Sequence, residues 1–475
     1  MDDVLTSVID PVNKFLYTYL LVYVLAAAGL YFTYRTRAVQ IRLFRESVRL
    51  ILHSRTSSSA NGVSSFQAFA IGLASRVGTG NIAGVAVALT LGGPGAVFWM
   101  WMVAAIGMAT AFVEATLAQL YKSRMPDGSF RGGPATYIER GLGSRRWGLV
   151  FAVLLVLTFG IAFNMVQANT VADVLAGSHG VSQHWTALIL MALSVPALFG
   201  GLRRISKIAE WVLPPMAGGY LLLALLLMLL HLGRVPGIIG DIVSDAFGFG
   251  PAAAGAVGSF SAALLNGVKR GLFSNEAGMG SAPNAAATAD TTHPAKQGLI
   301  QALGVFVDTM VVCSATAFMI LLADKSVYDA NEPGRYTGAS LTQAAIANQL
   351  GDGSRWILTA MVFVFAYSSV LGNYAYAEIN LAYLKASPAV VQVYRLIVIA
   401  AVGVGSVLAL NVVWGVADVA MAAMALINLV AITLLGRWAF GALRDYERQR
   451  AAGRDPEFVA AENTELPGTL VTDVW

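Results

Sequence analysis

Apolar runs near helical length recur along the chain at roughly 15–34, 64–91, 95–121, 147–176, 185–199, 206–232, 256–288, 299–323, 354–384, 389–410 and 414–440. The pattern predicts an all-α multi-pass membrane protein of about eleven transmembrane helices. Two of these runs are interrupted at their centres. "ASRVGTGNIAGVA" places Arg76, Thr79 and Asn81 among Gly78, Gly80 and Gly84. "LLNGVKRGLFSNEAGMGSAPN" does the same with Lys269, Arg270 and Glu276 among Gly267, Gly271, Gly278 and Gly280. With the first helix set aside, the other ten divide into five plus five, and each half opens on an interrupted run. The expected order is an N-terminal peripheral helix (1–34), a basic segment and linker (35–63), a first repeat (64–232), an outer connection (233–255), a second, inverted repeat (256–440) and a charged, disordered tail (441–475).

Backbone accounting gives the interruptions a meaning. Hydrocarbon offers no hydrogen bonds, so unwound backbone at mid-depth persists only where protein or a cavity surrounds it. Free N–H groups at one half-helix suit a carboxylate, and free C=O groups at the other suit a cation or an ammonium group. Paired breaks at matching places in two halves point to a secondary transporter's binding site. Glycines alone can serve only close helix packing. Buried charge adds roughly 2.5–3.5 kcal/mol per residue on insertion scales, which packing does not explain.

Composition narrows the class further. Only 12% of residues are charged and 57% are hydrophobic, with a mean hydropathy of +0.66. A net charge of +4 carries no nucleic-acid signal, because the basic residues sit in short loops. Segments 35–63 and 122–146 are rich in Arg and Lys, whereas "GGPG" and "GSHGVSQH" are bare. Positive-inside bias then puts the N-terminus outside and the C-terminus in the cytoplasm of a plasma-membrane protein. The single cysteine, Cys313, excludes a disulfide framework. No HExxH or Walker A pattern appears, and an enzyme is not expected. An ion channel is the rival from another class, but it calls for charged rings or filter sequences in an oligomer.

"GGPGAVFWMWMVAAIG", "VGTGNIAG", "GGPATYIERGLG", "NMVQAN", "RGLFSNEAGMGSAP" and "VDTMVVCSATA" occur in order across the membrane portion. In these motifs the chain resembles the alanine/glycine:cation symporter family, also called sodium:alanine symporters. The resemblance implies a LeuT-type fold, uptake of small neutral amino acids and Na⁺ as the coupling ion, with no other cofactor. It implies that backbone N–H groups of Thr79, Gly80 and Asn81 hold the substrate carboxylate. Gln167 and Asn169 would line the pocket, and Phe273 would bound its side-chain end. Ala74, Val77, Phe365, Ser368 and Ser369 would hold the cation. The serines could instead bond back within their own helix. Arg76 and Glu276 are expected to meet as a charge pair between the breaks; Arg270, Asp308 and Glu378 are further candidates for buried charge. Lipid is the surrounding partner, and a monomer is expected to be the working unit.

One position departs from the family pattern. "SSVLGNYAYAE" has Asn373 where many members carry Trp. A smaller amide there would admit a longer polar substrate such as glutamine. Proton coupling through Glu276 or Asp308 is the alternative to Na⁺.

Overall fold

The computed structural model describes residues 2–54, 63–126, 128–199, 201–249, 256–330, 336–470 and 472–475. The linker expected in "SRTSSSANG" falls almost wholly outside them. Among the described residues the regular structure is helical apart from a two-residue antiparallel pair, Ser123–Arg124 with Phe130–Arg131, and an isolated bridge between Val63 and Ala289.

The helix count corrects the sequence expectation. Among the described residues seven helices are long and apolar enough to cross a bilayer, and eight if one bent pair is a single span. They are Thr6–Arg35, Gly95–Leu120, Arg145–His179, Pro294–Leu321, Ser354–Tyr383, Pro388–Val407 and Leu410–Ala451. The bent pair, Pro214–Leu230 with Leu232–Ala246, turns through 82°. Among the described residues neither eleven spans nor a clear division into two inverted sets of five is present. A hydropathy window adds apolar residues across a break, so it counts two half-helices as one crossing. Gln183–Leu198 is apolar but has only 16 residues, short of the roughly 20 that a span needs.

The first interrupted run begins at Ser65, where Ser64 accepts from the Gln67 N–H and Gln67 accepts in return from the Ser64 N–H. Its helix stops at Arg76, because Val77 leaves helical geometry at ψ 88°. Winding resumes over Gly80–Gly92, opening with a π-helical turn. The second run is helical over Ala256–Asn275, breaks, and resumes over Ala282–Thr288. Glu276, Gly278 and Gly280 all take positive φ in that break, which is costly for Glu276 and easy for the glycines.

Gly95–Leu120 is the central post. It packs against Pro294–Val305, Ala256–Asn275, Ala282–Thr288 and the Leu410–Ala451 helix. Small residues let backbones approach: a Cβ on Gly298 would strike Phe112 and Thr116, and one on Gly267 would meet Ala96 and Trp99. Leu188, Ile189, Leu222, Leu226, Val393 and Leu396 face outward, as lipid-facing residues do.

The stretch after Gly441 is not disordered. The last long helix continues to Ala451, and the remaining chain folds back with Phe458 and Leu470 buried. The basic segment after residue 35 forms Val39–Arg42 and Phe44–Ser54, the second packing on Pro294–Val305.

Candidate functional site

The two breaks cross in the interior. The first contributes Gly78 to Asn81, the second the end of Ala256–Asn275, and Pro294–Leu321 lies alongside. The Asn81 side chain ties the crossing together. Its Oδ1 accepts from the Gly78 N–H at 2.8 Å, which stops the loose backbone from flailing. Its Nδ2 donates to Asp308 Oδ1 at 2.6 Å and to Ser274 Oγ at 3.0 Å.

Asp308 is completely buried. Ser274 and Thr309 hydroxyls donate to its Oδ2 at 2.7 and 2.8 Å. Among the described residues no Arg, Lys or His lies within ion-pair distance of it. A buried carboxylate served only by neutral donors lacks a counter-charge, and such a charge is costly unless something cationic joins it. Oxygens from Asp308, Ser274 and Thr309 form a hard donor set of the kind that suits a small alkali cation. The Pro294–Leu321 helix is π-wound over Phe306–Cys313, a local widening frequent at functional sites. Cys313 and Thr316 lie next to it, with the Thr316 hydroxyl donating to the Asn81 carbonyl at 2.6 Å.

The other sequence candidates separate into those the fold assembles and those it does not. Thr79 offers both its N–H and its hydroxyl to Gln167 Oε1, at 3.3 and 2.8 Å. That amide oxygen stands where a carboxylate oxygen would accept. Gly80 lies under Phe273, whose ring is 4.4 Å from Phe163 and 4.6 Å from Trp414. Asn169 faces away: its amide donates to the Gly405 and Leu408 carbonyls at 3.0 and 2.8 Å. Two residues along a helix turn through about 200°, so Gln167 and Asn169 occupy opposite faces. Asn373 lies in the core, but its amide is engaged on both sides, by Ser75 Oγ at 2.8 Å and Asn164 Oδ1 at 2.9 Å.

Ala74, Val77, Phe365, Ser368 and Ser369 gather where the end of Ser65–Arg76 meets Ser354–Tyr383. Ser369 Oγ reaches across to the Ala74 carbonyl at 3.0 Å, whereas Ser368 Oγ bonds back to Phe365 in its own helix at 2.9 Å. Gly78 must be glycine here, since a Cβ would overlap the Ser369 hydroxyl.

The expected Arg76–Glu276 pair is not formed. Arg76 Nη1 donates to the Gln301 carbonyl at 3.3 Å, and Glu276 is held instead by the Ser75 and Ser281 hydroxyls at 2.7 and 2.6 Å. The ion pair in this region is Arg270 Nη2 with Asp418 at 2.5 Å. The guanidinium lies 4.3 Å from the Trp414 ring. A cavity of about 290 Å³ opens beside it, lined by Asp10, Asn13, Lys269, Arg270, Trp414 and Asp418 among others. The N-terminal helix joins in through Asn13, which donates to the Asp418 carboxylate at 3.4 Å, and Tyr17, which donates to its carbonyl at 3.1 Å.

Sequence reasoning noted Asp308 as a buried charge but missed its partnership with Asn81, Ser274 and Thr309. The one signal available was polar Asp308 and Thr309 inside an otherwise apolar run.

Comparison with known proteins agrees with the motifs. The sodium:alanine symporter family model matches residues 1–460. GlnT of Bacillus subtilis, described as a probable sodium/glutamine symporter, is 46% identical over 96% of this chain and 94% of its own. The amino-acid carrier protein AlsT of Bacillus subtilis is 46% identical over 100% and 98%. The sodium/alanine symporter AgcS of Methanococcus maripaludis is 37% identical over 90% and 94%. A manganese transporter of Eremococcus coleocola superposes with a TM-score of 0.48 at 13% identity, over 80% of this chain and 87% of that one. A superposition that loose lends the implied LeuT-type fold no support. With one model spanning nearly the whole chain and relatives matched end to end, this protein belongs to the sodium:alanine symporter family.

Proposed function

We propose that the protein is a secondary active symporter in which Na⁺ entry drives uptake of small neutral amino acids such as alanine and glycine. The observation that carries this reading is the buried Asp308 carboxylate, with only neutral oxygen and amide partners, set against the broken helix at Asn81. Na⁺ satisfies that carboxylate together with Ser274 and Thr309. Ala74, Val77, Phe365, Ser368 and Ser369 offer a second oxygen cluster. The substrate carboxylate takes the place of Gln167 Oε1 at the Thr79 N–H and hydroxyl, with Gly80 and Asn81 beside it. Phe273 closes the pocket at the side-chain end. The LeuT-type likeness is retained only in this sense, that two unwound segments meet at one buried centre. The chain sits in the plasma membrane with its N-terminus outside and its C-terminus in the cytoplasm, and works as a monomer.

The energetics are sufficient. One Na⁺ crossing about −100 mV contributes ~2.3 kcal/mol, and a tenfold gradient adds ~1.4 kcal/mol. Together they support an internal excess of several hundredfold, or about 500.

A second substrate reading has a specific support, the 46% identity to a relative described as a probable sodium/glutamine symporter. Purified protein in liposomes, given labelled alanine with and without a Na⁺ gradient, tests both. Sodium-dependent, saturable accumulation is expected, with glycine competing. Competition by glutamine but not glycine would move the preference to the longer substrate. Uptake that ignores Na⁺ and follows the pH gradient would overturn sodium coupling.

A further inference from the structure

We propose that Lys122 is a positioning residue that locks the cytoplasmic half of the second interrupted helix, and that the folded-back segment after Ala451 is the part that holds it in place. The proposal rests on the transport reading for the motion and for the folding control; the contacts and the labelling readout do not.

The Ala282–Thr288 half-helix ends at Ala289, which leaves helical geometry with ψ 134°. Carbonyls at such an end need donors. Ala285 finds its donor in the Thr288 hydroxyl, and Ala286 and Ala289 find theirs at the end of the Gly95–Leu120 helix. Lys122 Nζ donates to the Ala289 carbonyl at 2.9 Å. Gln119 Nε2 donates to the same carbonyl at 3.1 Å and also to Ala286. The first interrupted run is tied in at the same place, since the Asp290 N–H donates to the Val63 carbonyl at 3.0 Å. Both half-helices on this face therefore end in one knot.

Lys122 is an unusual member of it. Its side chain is 1% exposed, and among the described residues no carboxylate lies within ion-pair distance. Aromatic rings take that role. The ammonium is 4.1 Å from the Phe130 ring centre and 4.6 Å from that of Trp475, within the range of cation–π attraction. Trp475 also donates its indole N–H to the Gln119 carbonyl at 2.8 Å. The returning segment thus grips both donors that hold Ala289.

That segment is itself fastened to the loop it guards. Phe458 donates its N–H to the Thr292 carbonyl at 2.9 Å and packs its ring on His293 and Trp475. The Thr292 hydroxyl donates to Pro456, and Lys296 pairs with Asp455 at 2.8 Å. Glu465 pairs with Arg444 at 2.8 Å on the last long helix. Opening toward the cytoplasm requires the Ala282–Thr288 half-helix to leave this knot. Its stability therefore sets how often the inside opens.

Burial lowers the Lys122 ammonium to about 7, with Asp290 opposing the shift and Arg124 reinforcing it. Those two are the charged groups facing it from neighbouring elements, and Asp473 is bonded to the Arg124 N–H at 3.2 Å. Release into water would let the buried amine regain a proton, so proton linkage tightens the knot as cytoplasmic pH rises through that value, while the hydrogen bond to the Ala289 carbonyl persists.

Labelling of Ala286→Cys by a membrane-impermeant maleimide, applied to inside-out vesicles and read at that peptide, tests the proposal. At pH 6, Lys122→Met and Trp475→Ala should each speed labelling about tenfold, while Lys122→Arg, which keeps the charge at every pH, should not. The ratio of wild-type to Lys122→Arg rates should fall between pH 6 and pH 8, a comparison that removes the intrinsic pH dependence of the thiol. Sodium-dependent substrate binding from the outer face should stay at wild-type affinity in Trp475→Ala, showing that the protein is folded. Equal labelling in Trp475→Ala and wild type, or a flat ratio across that pH range, would overturn the proposal.

Discussion

Asn81 and Asp308 meet at 2.6 Å between a broken helix and a π-wound one, and among the described residues no Arg, Lys or His lies within ion-pair distance of that carboxylate. On the proposed reading this pair receives Na⁺. Asp308→Asn keeps the volume and removes the charge. The loss of a charge-assisted contact, about 1.5–3 kcal/mol, should raise the Na⁺ concentration for half-maximal uptake by roughly 10- to 150-fold. Sodium titration of uptake measures it; an unchanged midpoint would remove Asp308 from the cation site.

The two serines on the Ser354–Tyr383 helix should behave differently. Ser369 reaches across to Ala74, whereas Ser368 bonds within its own helix. Ser369→Ala is expected to weaken apparent Na⁺ affinity by about fivefold, the equivalent of ~1 kcal/mol. Ser368→Ala should leave it nearly unchanged. Equal effects in the same titration would mean that the second oxygen cluster is not organised as described.

Steric room at the first break gives a sharper contrast. A Cβ at Gly80 would sit 2.9 Å from the Phe273 ring, which Phe163 and Trp414 hold from both sides. Gly80→Ala should cut uptake by at least about tenfold at normal expression, since overpacking costs ~1–3 kcal/mol. A Cβ at Gly84 meets Trp414 at 3.5 Å, an ordinary contact. Gly84→Ala should therefore transport normally, and parallel losses in both variants would argue against a specific collision.

The Arg270–Asp418 pair should be indispensable singly and replaceable jointly. Arg270→Met leaves Asp418 buried with weak neutral partners, a loss of about 3–5 kcal/mol. Survival of the detergent-solubilised protein on heating should fall accordingly. Replacing both residues by Leu should recover most of it. Failure of the double variant to recover would show that the charges contribute more than mutual neutralisation.

Some of this architecture could be read in the residues before any coordinates. The breaks were legible, because Gly, Asn and Thr at mid-depth conflict with continuous winding, and the chain does unwind at Val77–Thr79 and after Asn275. The helix count was not, since hydropathy is blind to a bend and summed residues 64–91 and 256–288 as single crossings. Asn169 looked equivalent to Gln167 in "NMVQAN", yet helical phase sends the two to opposite faces. The Asp308 partnership depends on three elements far apart in the chain, and no local spacing encodes it. The returning segment was misjudged on its charge: Phe458, Leu470 and Trp475 are few, but each finds a prepared contact.

The N-terminal helix has a consequence for anyone handling the protein. Through Asn13 and Tyr17 it supplies donors to the residue that neutralises Arg270, and Asp10 shares the wall of the adjoining cavity. A helix expected at the periphery is wired into a buried ion pair. A purification handle that trims or crowds the first twenty residues would alter the electrostatics of the cavity beside Arg270 and Asp418.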